Sequence, residues 1–204
     1  MTDTPALRPS PACTTTSALP LARYSPAPWQ VGTCSGCDMT YLSNPPAYDA
    51  LQEDFAWEKT YADKKASCAG WTRFSPYARK LRNALDMCRN KTSSFRRWFN
   101  GGHMLDIEHE TDAIGALKGA HRALKPSGGV FVRVPNFGSL NRRVIGANWC
   151  GFRYPDHVNY FTLATLTHAA HRAGFTTELI NRIRLHIDDN ISVLLRKTPM
   201  GVPT

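Results

Sequence analysis

No uninterrupted apolar run in this chain approaches the roughly 20 residues that span a bilayer, so no membrane-crossing helix is expected. The N-terminus, MTDTPALRPSPACTTTSALPLARYSPAP, lacks a basic region followed by an apolar one. It does not read as a secretory leader, and the expected location is cytoplasmic. Cysteine is sparse, with six in 204 residues, at positions 13, 34, 37, 68, 88 and 150. Only Cys34 and Cys37 are closely paired. Without an export signal this pattern points to free thiols or metal ligation rather than disulfides. No internal repeat is visible.

Acidic residues are also scarce, 16 against 25 Lys and Arg, for a net charge of +9. The imbalance is local. Between Lys59 and Arg97 there are eleven basic residues and two acids, Asp63 and Asp86, with Trp71, Phe74, Tyr77, Phe95 and Trp98 interleaved. Such a block can hold phosphates and stack bases. A solvated helical face is the preferred reading, and nothing in the block matches a nucleic-acid-binding module. Charge alone therefore does not make nucleic acid a partner. The apolar fraction of 42% and charged fraction of 20% are ordinary for a globular chain.

Residues 1–28 are rich in Pro, Thr, Ala and Ser without periodicity and are expected to be disordered. From Trp29 the stretch WQVGTCSGCDMTYL predicts two short strands around a Cys-Ser-Gly-Cys knuckle (residues 29–46), closed by Asn44-Pro45-Pro46. A basic helical segment is expected over 47–100, with Tyr77, Leu81 and Leu85 at four-residue spacing.

The remainder, 101–198, reads as strand, helix, strand, helix, strand, the rhythm of an α/β domain. A strand is expected over His103–Ile107. Asp112 is placed to cap a helix carrying Ile114, Leu117, Ala120 and Leu124 on one face. A strand over Val130–Val134 and a short helix over Ser139–Ile145 follow. Thr162 is placed to cap the next helix and Gly174 to end it, before strands over Phe175–Ile183 and Ile191–Leu195.

The stretch GGHMLDIEHE, from Gly101 to Glu110, begins like the first strand of a nucleotide-binding domain. Glycines should follow, because backbone N–H groups must approach such a ligand where a Cβ would collide. Glu108, His109 and Glu110 come instead.

Three later runs carry a resemblance. The first is Leu124–Gly129, a Leu-Lys-Pro-Gly-Gly pattern with Ser127 inserted. The second is the Pro-Asn-Phe-Gly-Ser turn over Pro135–Ser139, and the third is Pro-Asp-His-Val-Asn-Tyr-Phe over Pro155–Phe161. In this order, behind CSGCDMTYLSNPPAYDALQEDFAWEKTYADKK, they resemble class I S-adenosylmethionine-dependent methyltransferases, in the branch that places a cysteine knuckle ahead of the catalytic domain. The resemblance implies methyl transfer from S-adenosylmethionine to a small polar acceptor. It also implies a truncated Rossmann-like sheet of about four strands with an N-terminal knuckle and helical segment.

In that comparison Asp106 matches the acid closing the first strand, while Glu108-His109 match a pair after the fourth. The glycine turn, the ribose-binding acid and the adenine pocket have no counterpart. Activity thus stays open against two alternatives, an inactive remnant and a basic nucleic-acid or scaffold binder. Fusing the first and fourth strands would expose the outer sheet edge and favour self-association unless another element covers it.

The resemblance also assigns residues. His109 and His157 become candidate proton acceptors, with Tyr160 beside them. Asp106, Glu108 and Asn136 become candidate cofactor contacts. Plainer readings stand beside these: Asp106 as a strand-end acid that caps the following turn, Glu108 and His109 as a solvated pair at a helix start, and His157 as a turn residue bonding backbone. Cys34 and Cys37 have the spacing to hold zinc. A ribbon site needs a second pair, and upstream there is only Cys13; Cys68 or a histidine could substitute. A metal-free remnant is the alternative.

Overall fold

The computed structural model describes residues 8–46, 104–125 and 128–198. The basic segment expected over 47–100, with Cys68 and Cys88, lies outside the described residues. Among the described residues the strands, in chain order, are β1 (Ala18–Pro20), β2 (Val31–Cys34), β3 (Thr40–Leu42), β4 (Met104–Leu105), β5 (Gly129–Pro135), β6 (Asn159–Tyr160), β7 (Phe175–Leu179) and β8 (Asn190–Lys197). The α-helices are α1 (Ala113–Ala123), α2 (Leu140–Ile145) and α3 (Leu163–Arg172). This is a mixed α/β fold.

The strands form two four-stranded sheets. One runs β4-β5-β8-β7, with β4 and β5 parallel and the other pairs antiparallel. The β5–β8 ladder extends from Gly129 opposite Arg196 to Pro135 opposite Asn190. Its residues alternate as a half-covered strand should. Val130, Val132 and Val134 of β5 are buried with Ile191, Val193 and Leu195 of β8, while Arg133 points outward. Ile114 and Leu117 of α1 and Leu166, Ala169 and Ala170 of α3 complete that core.

Both helices begin at the expected caps. Asp112 accepts from the Gly115 N–H at 2.8 Å, and Thr162 with Thr165 forms a reciprocal capping box. Gly174, at φ +87°, ends α3 in a backbone conformation that side chains disfavour. Ser139 caps α2 through the Arg142 N–H at 3.1 Å. The closing strand expected to reach Ile183 stops at Leu179, where Asn181 turns back by donating to the Asn190 carbonyl.

The other sheet, β1-β2-β3-β6, is antiparallel throughout. It corrects the expectation of a disordered N-terminus: residues 8–28 carry β1 and a 3₁₀ turn at Ala22–Tyr24. Composition misleads there because the ordering contacts are distant in sequence. Arg8 donates to the Leu42 carbonyl at 2.7 Å, to the Thr111 carbonyl at 3.0 Å, and to the carbonyl of Val158. The knuckle is not a separate unit either, since β3 pairs with β6 of the later chain. Ala12, Cys34, Met39 and Tyr41 share the core of α1, α3 and β5. Beneath β6 lies an aromatic cluster of Phe137, Trp149, Phe152 and Tyr160.

Candidate functional site

The chain leaves β4 at Leu105 and enters a tight turn. The His109 N–H donates to the Asp106 carbonyl at 3.2 Å and the Glu110 N–H to the Ile107 carbonyl at 3.4 Å. The turn is docked from outside. The Val158 and Asn159 N–H groups both donate to the Glu108 carbonyl, at 2.8 and 3.0 Å. The Asn159 side-chain amide donates to the Ile107 and Glu110 carbonyls, each at 2.7 Å. Buried backbone groups are thus satisfied by β6, as burial requires.

This docking brings together two histidines 48 positions apart. His109 Nδ1 lies 3.0 Å from Asp156 Oδ1 and 2.9 Å from the Asp156 carbonyl, both acceptors, so Nδ1 carries the proton. Asp156 Oδ2 pairs with Arg153 Nη2 at 2.8 Å. His157 Nδ1 faces the Gly151 carbonyl at 2.9 Å, and its Nε2 lies 3.4 Å from Arg153 Nη1. The two rings meet edge to face with centroids 4.8 Å apart. Glu108 Oε1 is 3.9 Å from His109 Nε2, while Glu108 Oε2 is buried with no hydrogen-bond partner among the described residues.

The charges follow from these contacts. Burial pushes the Glu108 carboxyl up to about 7, the positive charge of His109 opposing it. Burial alone would lower His109, but the Asp156 carboxylate and Glu108 hold it above the ordinary histidine value. Asp156 moves the other way: its burial is outweighed by the hydrogen bond from His109. His157, desolvated and beside the charges of His109 and Arg153, drops to about 3 and stays neutral. The cluster therefore pairs one imidazole that protonates readily with one that does not. A carboxylate orienting an imidazole whose far nitrogen stays open is an arrangement suited to proton transfer.

The other expected site residues lie differently. Tyr160 is fully buried and donates its hydroxyl to the His157 carbonyl at 2.8 Å, steadying the histidine's turn from below. Asn136 follows β5, but its amide donates to the Leu185 and Asp188 carbonyls at 2.6 and 3.1 Å, and its oxygen accepts from Gly138 N–H at 3.0 Å. Its polar atoms are committed to the chain. Asp106 is exposed at the mouth of the turn.

A second cluster gathers thiols. Cys13, Cys34 and Cys37 place their sulfurs within 4.8 Å of one another, with Cys13 and Cys34 at 3.5 Å. Ser10 Oγ lies 3.3 Å from Cys37 Sγ. Ser10-Pro11-Ala12-Cys13 and Cys34-Ser35-Gly36-Cys37 form matching loops. In one, Ser10 N–H donates to Thr15 O at 2.8 Å and Thr14 N–H to Ser10 O at 2.9 Å. In the other, Cys34 N–H donates to Met39 O at 2.8 Å and Asp38 N–H to Cys34 O at 3.0 Å. The residue after each loop has a positive φ, 67° at Thr14 and 57° at Asp38. Burial would raise Cys13, but hydrogen bonds from Thr15 bring it down to about 6; burial pushes Cys37 up to about 11.

Residues 103–180 match a family described as a methyltransferase domain. The methyltransferase match covers well under half of the chain but takes in β4, the Glu108–His109 turn, Asp156, His157 and β6. No curated protein matches the chain. Similar solved structures include an O-methyltransferase family protein from Burkholderia thailandensis, 18% identical with a TM-score of 0.36. That alignment covers 61% of this chain and spans only 41% of the other. Another is the 1,6-didemethyltoxoflavin-N1-methyltransferase of Burkholderia thailandensis, crystallised with 1,6-didemethyltoxoflavin and S-adenosylhomocysteine. It is 16% identical with a TM-score of 0.41, over 88% of this chain and 99% of that one.

Sequence reasoning singled out both histidines but missed their partners Asp156 and Arg153, the anchor Arg8, and Ser10. Ser10 had a readable signal, since Ser-Pro-Ala-Cys keeps the spacing of a Cys-x-x-Cys loop with oxygen in place of the first sulfur. Nothing local marks Arg8.

Proposed function

We infer that this chain is a class I S-adenosylmethionine-dependent methyltransferase by descent, with Glu108, His109, Asp156 and His157 as the acceptor side of its site. The observation that carries this is the His109–Asp156 pair at the carboxyl end of β4, inside the span matched to a methyltransferase domain. Ligands of α/β sheets bind at that edge. The sheet order β4-β5-β8-β7, a parallel pair followed by an antiparallel closing hairpin, supports reading it as part of a Rossmann-like methyltransferase sheet. In this reading His109 presents Nε2 to a small polar acceptor, and Asp156 stabilises the imidazolium once Nε2 has taken the acceptor's proton.

Among the described residues a cradle for S-adenosylmethionine is not built. The turn after β4 has no glycine, its His109 and Glu110 amides are turned back on Asp106 and Ile107, and Asn136 is committed elsewhere. That observation favours the second reading, a remnant that keeps the proton-handling groups without the methyl donor. Calorimetric titration of the full chain with S-adenosylmethionine separates the two. Micromolar binding supports an active enzyme, and no saturable heat leaves the remnant.

The thiol cluster fits a structural zinc. Three thiols converge as a tetrahedral ion requires, and Ser10 supplies a hydroxyl where the fourth sulfur of a ribbon would stand. A bound ion would cross-link the loop before β1 to the β2–β3 hairpin.

A further inference from the structure

We propose that Glu108, His109 and His157 form a binding site for one divalent first-row cation such as Mn²⁺. The inference rests on reading this cluster as the acceptor side of the site, and it gives that side a resident ion. A carboxylate oxygen of Glu108 and one ring nitrogen of each histidine lie within 4.8 Å of one another.

Two independent observations point to an ion. The first is the Glu108 carboxylate. The residue is 7% exposed, and its Oε2 is buried without a hydrogen-bond partner among the described residues. An unpaired buried carboxylate oxygen is costly, and a cation is the partner that offsets the cost most directly.

The second is the orientation of both imidazoles. His109 gives Nδ1–H to Asp156 Oδ1 at 3.0 Å, and His157 gives Nδ1–H to the Gly151 carbonyl at 2.9 Å. Each ring is thereby fixed in the tautomer that keeps a lone pair on Nε2, which at His157 meets Arg153 Nη1 at 3.4 Å. Metal-binding histidines are held in this way, by a carboxylate or backbone carbonyl on the opposite ring nitrogen.

Two imidazoles and a carboxylate suit Mn²⁺, Fe²⁺, Co²⁺ or Zn²⁺ and leave coordination positions for water or an acceptor oxygen. Bonds of about 2.1 Å place neighbouring donors about 3 Å apart. Glu108 Oε1 and His109 Nε2, now 3.9 Å apart, would close by roughly an ångström. Arg153 Nη1, 3.4 Å from His157 Nε2, would yield its place. Its Nη2 would stay on Asp156 at 2.8 Å, holding the His109 support in position. With the ion bound, His109 Nε2 is a ligand, and its proton-accepting role belongs to the metal-free chain.

The test is titration of the chelator-treated full chain with MnCl₂, read by the paramagnetic resonance signal of free Mn²⁺. Mn²⁺ prefers oxygen and nitrogen donors, so the thiol cluster does not compete. Saturation at one Mn²⁺ per chain is expected, with a Kd below about 1 mM. Glu108→Gln and His157→Gln should each weaken it at least about tenfold with unchanged circular dichroism, and Cys13→Ser should leave it alone. The absence of saturable binding, or binding unaltered in both variants, overturns the site. The assay contains no S-adenosylmethionine. Mn²⁺ binding in a chain that ignores the cofactor keeps the cation site and rejects the enzyme, while cofactor binding without Mn²⁺ does the reverse.

Discussion

Arg8 Nη2 donates to Asn159 Oδ1 at 2.9 Å, across 151 positions of sequence. The same Asn159 holds the Ile107 and Glu110 carbonyls with its amide. A single side chain of β6 therefore ties the N-terminal strap to the acid–histidine turn. Arg8 stacks its guanidinium 5.2 Å from the Tyr41 ring centre, and desolvation brings its pKa down to about 10. Backbone carbonyls, rather than a carboxylate, supply its hydrogen bonds at Leu42, Thr111 and Val158.

Arg8→Lys should cost about 2–4 kcal/mol in urea denaturation, because an ammonium cannot reproduce a planar fork spread over four acceptors. Combined with Asn159→Ala, the pair should show a coupling of about 1 kcal/mol or more. Additive losses would mean that the contact carries no shared energy.

The Glu108 carboxyl gives a stability effect whose sign is fixed. Burial raises it to about 7, so between about pH 4.5 and 7 the folded chain keeps a proton that the unfolded chain has released. Stability from this group is present below that window and lost as pH rises through it. In metal-free protein Glu108→Gln should match the parent near pH 4.5 and exceed it by roughly 2–3 kcal/mol above pH 7. Parallel melting curves across that range would refute the burial penalty.

His109 owes its raised pKa to Asp156, against the pull of burial. Asp156→Asn should lower the His109 value in a proton NMR titration of the ring. A His109 resonance that titrates unchanged would show that the contact at 3.0 Å is not what sets it.

Ser10→Cys tests the thiol cluster. The new sulfur completes a four-thiolate set, and zinc retained against a chelator should rise at least about tenfold. Equal loss of zinc from parent and variant would place Ser10 outside the ligand sphere.

Local chemistry was legible where it was self-contained. Asp112, Thr162 and Gly174 mark helix ends through their own neighbours, and the alternation of Val130, Val132 and Val134 marks a strand with one covered face. The N-terminus was not legible, because Arg8 and Ser10 draw their order from Thr111, Asn159 and Cys37, which no window of sequence contains. The site divides likewise. His109 and His157 stood out singly, but their shared support at Asp156 depends on a turn and a two-residue strand meeting in space.

That two-residue strand, Asn159–Tyr160, is the only ladder partner of β3 from the later half among the described residues. Thr40 and Tyr41 grip it from one side and the Glu108 turn from the other. The hairpin that carries Cys34 and Cys37 and the turn that carries Glu108 and His109 thus lean on the same two residues, so a change in either is felt first at Asn159–Tyr160.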